Sequence, residues 1–154
     1  MKVGDQVPKI EVPSTSGQNF DLSAGKGQRL VLYFYPKDAT PGCTLEGHQF
    51  NALREQFAQV NAVILGVSKD SLKAHDKFRT KECFEFALLS DEKGELCDAL
   101  GVMKEKNMYG RKYWGIERST FVVDSSGKLA HEWRGVKPDG HAAEVLNWLK
   151  INSN

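Results

Sequence analysis

A proline placed directly behind a continuous apolar run sets the terms for this chain. Leu30-Val31-Leu32-Tyr33-Phe34-Tyr35 is β-branched and aromatic throughout, the composition of a strand covered on both faces. Pro36 cannot extend a ladder and biases Tyr35 away from helical backbone, so the strand stops there. Further on, Phe50, Leu53 and Phe57 recur at spacings of three and four, which predicts a helix over residues 42–59. Between strand and helix stands Lys37-Asp38-Ala39-Thr40-Pro41-Gly42-Cys43. Thr40 is a good N-cap, Pro41 suits the first helical position, and Gly42 leaves the backbone uncovered. Cys43 therefore falls in the first turn, near unpaired N–H groups and the positive end of the helix dipole. A thiol in such a place ionises more readily than a free one, and the thiolate is the nucleophile. Alone, Cys43 would read as a small residue packed under a helix; its proline, threonine and glycine neighbours argue for reactivity.

The remaining chain supplies the layers. Residues 7–13 form an edge segment interrupted by Pro8 and Pro13, with turns at residues 16–19 and at Gly25-Lys26-Gly27. Residues 62–68 are a second buried strand, and Ser71 caps a helix running to about Glu82. In that helix His75 shares a face with Leu72 and Phe78 and reads as a surface or core-edge histidine. Two buried strands joined by a helix imply a parallel pair. A short apolar run at 86–89 precedes a small helix from Glu95 to Leu100, stopped by Gly101. Residues 104–115 read as a loop rich in glycine, lysine and tyrosine. Ser119 to Asp124 is a strand that turns through residues 125–128 into a last strand at 129–133. A terminal helix begins near Asp139, with Val145, Leu146, Trp148 and Leu149 buried. Parallel strands early, an antiparallel pair late and helices between them give an α/β sandwich on a mixed sheet.

At 154 residues the chain is expected to form one domain, 1–154, with a core that needs no staples. The 21 basic and 20 acidic side chains leave a net charge of +1 with no basic stripe, which argues against nucleic acid. No apolar signal core or membrane-length run is present, so the expectation is a soluble, cytoplasmic protein. Cys43, Cys83 and Cys97 are an odd, widely spaced set without C-x-x-C. His48, His75, His131 and His141 show no metal-ligand spacing.

Pro36-x-x-x-Thr40-x-x-Cys43 resembles the peroxiredoxin signature. The longer string Tyr33-Phe34-Tyr35-Pro36-Lys37-Asp38, followed by Thr40-Pro41-Gly42-Cys43-Thr44-x-Glu46, looks like the bacterioferritin comigratory protein, or peroxiredoxin Q, subfamily. The likeness extends over nearly the whole chain and implies a thioredoxin-like fold. It also implies a thiol-dependent peroxidase that reduces hydrogen peroxide and small organic hydroperoxides with no metal, haem or flavin. Cys43 would be the peroxidatic nucleophile, passing through a sulfenic acid. Thr40 would hydrogen-bond the peroxide, Pro36 would shield the sulfur, and Arg118 would lower the thiol pKa and steady the oxyanion. Glu46 is a supporting residue that orients Arg118 or a loop amide. Electrons would come from thioredoxin or glutaredoxin, and the subfamily suggests a monomer.

The chain departs from the family at the resolving thiol. Many members carry it five residues beyond the first cysteine, where His48 stands here; others carry it in the next helix, at the place of Arg79. Cys83, a turn later, serves as resolver if the helix ends unwind, since a disulfide needs Cα atoms within roughly 7 Å. The alternative is a one-cysteine cycle reduced directly by an external thiol. Cys97 reads as a packed core residue. Two rivals to an enzyme are a thiol-switch protein that passes oxidation to a partner, and a binding module with an inert cysteine.

Overall fold

The computed structural model describes residues 1–25 and 27–152. Lys26, the middle of one expected turn, lies outside them. In chain order the N-terminal edge segment becomes a small antiparallel hairpin, β1 (Glu11–Val12) against β2 (Phe20–Asp21). The central run forms β3 (Arg29–Phe34), all six residues buried. The helix expected over 42–59 is two helices, α1 (Pro41–Ala52) and α2 (Arg54–Gln59). Leu53 leaves the helical region between them (φ −99°, ψ 3°), and the Arg54 guanidinium takes the Asn51 carbonyl at 2.9 Å. Phe50 and Phe57 reach the same core across this break, ring centres 5.8 Å apart.

Next come β4 (Ala62–Ser68) and α3 (Leu72–Glu82), the latter capped as expected by Ser71, whose hydroxyl accepts from the Ala74 N–H at 3.1 Å. β5 (Ala87–Ser90) and α4 (Glu95–Leu100) follow. Residues 104–115, expected as a loop, are a hairpin instead: β6 (Met103–Met108) against β7 (Arg111–Ile116). Its turn is Tyr109-Gly110, both at positive φ (54° and 77°), the backbone of a tight two-residue connection. The hairpin buries almost nothing, so its side chains show no apolar alternation to betray it. The chain ends with β8 (Ser119–Val123), β9 (Leu129–Arg134) and α5 (His141–Ile151), where Trp148 is half-buried rather than buried.

The main sheet runs β5-β4-β3-β8-β9, with β3, β4 and β5 parallel and β8 and β9 antiparallel to their neighbours. Successive β3 residues feed opposite cores. Leu30, Leu32 and Phe34 pack with Leu96, Cys97 and Leu100 of α4, while Val31 and Tyr33 pack with Phe50, Phe57, Phe78 and Val145 of the other helices. Each such side chain contributes about 1.5–3 kcal/mol by leaving water. A strand wedged between two helical layers is immobile, and its end is a firm base for chemistry.

Candidate active site

Cys43 lies where that base meets α1. Thr40 is the N-cap (φ −85°, ψ 153°) and Pro41 opens the helix. The Thr40 hydroxyl makes no cap bond and donates instead to the Lys37 carbonyl at 2.7 Å. The first-turn N–H groups of Gly42 and Cys43 are thus not taken by the cap, which leaves them for an anion or a polarised oxygen. Cys43 itself is only 2 % exposed.

Register brings the cation. Ser119 of β8 pairs with Phe34 at the end of β3, so Arg118 comes abreast of the stretch leading to Cys43 although 75 residues separate them. Arg118 Nη2 donates to Cys43 Sγ at 3.5 Å and Nη1 donates to Glu46 Oε1 at 2.6 Å. Glu46 lies three residues past Cys43 on the same face of α1 and has no exposed surface. The carboxylate fixes one edge of the guanidinium fork and the other edge is presented to sulfur. Gly42 makes the approach possible: a Cβ there would stand 3.2 Å from Arg118 Nη2 and 3.4 Å from Pro138 Cγ.

Burial dominates the electrostatics. It raises the Glu46 carboxyl to about 7, against the opposing pull of Arg118. Glu46 Oε2 has no hydrogen-bond partner among the described residues, so it is the oxygen on which a proton would settle. For Arg118, burial favours the neutral form, but Glu46 and Cys43 together outweigh it and hold the guanidinium above its ordinary pKa. Lys106 of β6 senses the same site: burial and then the Arg118 charge lower its pKa. Reading residues 104–115 as a loop concealed that lysine.

The other residues singled out in the sequence sit as follows. Pro36 is exposed at the end of β3. Cys83 is exposed and ends α3 in the left-handed region (φ 60°). It stands opposite the position five past Cys43, for the Glu82 carboxylate meets His48 Nε2 at 2.8 Å and the Phe84 ring lies 5.1 Å from the His48 ring. Cys97 has no exposed surface, a packed residue of the α4 core. His75, expected at the surface or core edge, is fully buried, a correction that follows from its partner: its Nδ1 meets Asp38 Oδ2 at 2.6 Å. Asp38, Asp70 and His75 bring their ligand atoms within 4.8 Å of one another. Both His75 nitrogens are already engaged, Nε2 by the Leu89 carbonyl at 2.8 Å, so the ring has no lone pair directed at an ion.

A cysteine at a helix start, facing a carboxylate-braced arginine from an antiparallel strand, suits attack by sulfur on a polarised bond. The model of the AhpC/TSA family matches residues 3–132. The chain belongs to that family. Within it, the AhpC/TSA chain is 52 % identical over 139 residues to peroxiredoxin Bcp of Xanthomonas campestris pv. campestris, covering 90 % of this chain and 87 % of that protein. A mutant of peroxiredoxin Q from Xylella fastidiosa superposes with a TM-score of 0.92 at 47 % identity, over 98 % of this chain and 96 % of that one. The bacterioferritin comigratory protein of Xanthomonas campestris, studied for alkyl peroxide reduction in trapped intermediate and ligand complexes, gives 0.88 at 50 % identity over 92 % and 90 %. The AhpC/TSA chain is thus a thioredoxin-like peroxiredoxin of the Bcp type, a thiol-dependent peroxidase.

Proposed function

We propose that Cys43 is the peroxidatic nucleophile, acting on hydrogen peroxide and small organic hydroperoxides. The observation that carries this is the Arg118 guanidinium, braced by Glu46 and 3.5 Å from the Cys43 sulfur at the open end of α1. The Cys43 thiolate attacks the nearer peroxide oxygen. A sulfur–oxygen bond forms, the oxygen–oxygen bond breaks, and the electron pair leaves on the distal oxygen as hydroxide or alkoxide, which takes a proton to become water or alcohol. Arg118 and the first-turn N–H groups stabilise the charge on the departing oxygen. Thr40, its own proton committed to Lys37, accepts from the hydroperoxide O–H, and Pro36 screens the sulfur from water. Glu46 keeps Arg118 in place.

The resulting sulfenic acid condenses with a second thiol, forming a disulfide and releasing water. Cys83 fills this role when the left-handed turn closing α3 unwinds; otherwise an external thiol does so directly. A dithiol protein such as thioredoxin or glutaredoxin then reduces the disulfide and is itself oxidised. The whole cycle belongs to a monomeric, cytoplasmic, single-domain protein.

The test is to treat the protein with one equivalent of hydrogen peroxide and map its cysteines by mass spectrometry. Sulfenic Cys43 or a Cys43–Cys83 disulfide is expected, and an unmodified Cys43 would sink the proposal. The disulfide identifies Cys83 as resolver, whereas oxidised Cys43 beside an unmodified Cys83 identifies the one-cysteine cycle. Catalytic peroxide loss with thioredoxin or glutaredoxin separates an enzyme from a stoichiometric switch.

A further inference from the structure

The loop that delivers Cys43 to its site is held from the side by a residue outside the signature. Asp38 has a buried carboxylate. Its Oδ1 accepts from the Tyr35 hydroxyl at 2.6 Å and its Oδ2 meets His75 Nδ1 at 2.6 Å. The Asp38 N–H donates to Asp70 Oδ2 at 3.0 Å, and the same oxygen accepts from the Ser68 hydroxyl at 2.5 Å. Ser90 of β5 steadies Asp70 through its backbone carbonyl at 2.7 Å. His75, on α3, has its second nitrogen 2.8 Å from the Leu89 carbonyl. Both partners of the ring are acceptors, so both contacts hold a proton and the histidine cannot rotate without losing two hydrogen bonds in a site closed to water.

Directly after Asp38 comes Ala39 at φ 63°, a left-handed step that a residue with a Cβ resists by roughly 1–2 kcal/mol. Such a conformation persists only where its surroundings over-determine it. On one side of Ala39 is the doubly anchored Asp38; on the other are Thr40 and the first turn of α1.

We propose that His75 is a positioning residue: through Asp38 it holds the Ala39 step, and thereby the start of α1, where Cys43 meets Arg118. The inference rests on the reading of Cys43 as nucleophile. It makes α3 serve the site from its first half, through His75, while its far end carries Cys83. A loop released from His75 relaxes at Ala39, and a displacement of about 1 Å at a reacting atom is enough to cost on the order of a hundredfold in rate.

The experiment measures the rate at which hydrogen peroxide consumes the Cys43 thiol, by rapid mixing and alkylation, in the full-length protein. His75→Asn and the near-isosteric Asp38→Asn each lower that rate about 10- to 100-fold, and the double variant is no slower than the slower single one within about threefold. Ser71→Ala, which removes the α3 cap but not the Asp38 contact, lowers stability and leaves the rate unchanged. A rate within twofold of the parent in a folded His75→Asn protein overturns the inference. So does a Ser71→Ala loss as large as that of His75→Asn. If His75→Asn does not fold, Asp38→Asn decides alone by the same threshold. A parent protein whose Cys43 is inert to peroxide overturns the nucleophile assignment, a result distinguishable from failure of the variants.

Discussion

Two cysteines of this chain are equally hidden and chemically opposite. Cys43 is 2 % exposed and Cys97 has no exposed surface, so burial alone would class both as small core residues. Their neighbours differ in charge. Cys43 faces the Arg118 guanidinium at 3.5 Å, whereas the Cys97 N–H is bonded to the Asp91 carboxylate at 2.8 Å. Burial and then Asp91 push the Cys97 thiol far above the ordinary range, which keeps it protonated and inert. Reactivity in this fold follows from which charge a strand or loop leans against the sulfur, not from access to solvent.

The largest test of that contrast removes each sulfur. Cys43→Ser lowers peroxide turnover, assayed with dithiothreitol as reductant, by about a thousandfold or more. Cys97→Ala stays within about threefold of the parent in the same assay. Next, Arg118→Met lowers the rate of Cys43 oxidation by about 10²- to 10³-fold, and Arg118→Lys recovers only part because a point charge cannot serve Glu46 and sulfur together.

Glu46 sharpens the comparison through stability. Its carboxyl holds a proton more tightly folded than unfolded, with the folded value raised from 4.5 to about 7. The folded state therefore binds more protons across that window, and stability falls as pH rises through it, by roughly 3 kcal/mol between pH 4.5 and well above pH 7. Urea midpoints across this range decline in the parent, and Glu46→Gln flattens the decline. Cys97→Ala, neutral for turnover, leaves a small void and lowers unfolding free energy by about 1–2 kcal/mol. The smallest effect is expected at Cys83, whose left-handed backbone suits glycine: Cys83→Gly raises stability by up to about 1 kcal/mol in urea titration.

The sequence announces features whose causes are local. The end of β3 at Pro36, the start of α1 at Thr40 and the stop of α4 at Gly101 each follow from a residue's own backbone preference. Features made by distant partners are silent. Arg118 reads as an ordinary strand-edge charge until antiparallel pairing sets it beside α1, and only the family resemblance points to it beforehand. Glu46 is ambiguous as a first-turn acid because nothing nearby in the chain declares its burial. His75 misleads for the same reason, its carboxylate lying 37 residues earlier. The β6–β7 hairpin escapes notice because Lys104, Glu105, Lys106, Arg111 and Lys112 erase the alternation that a half-buried ribbon would show.

That hairpin divides the chain between Cys43 and Arg118. Its tip, Tyr109, is fully exposed, and its two strands form a ladder separate from the main sheet. A single backbone cut at Tyr109 would part the molecule into one piece that owns the sulfur and another that owns the guanidinium. Neither half could perform the reaction alone, and β8 finding its berth beside β3 would restore it, so enzymatic output would report directly on the two pieces being rejoined.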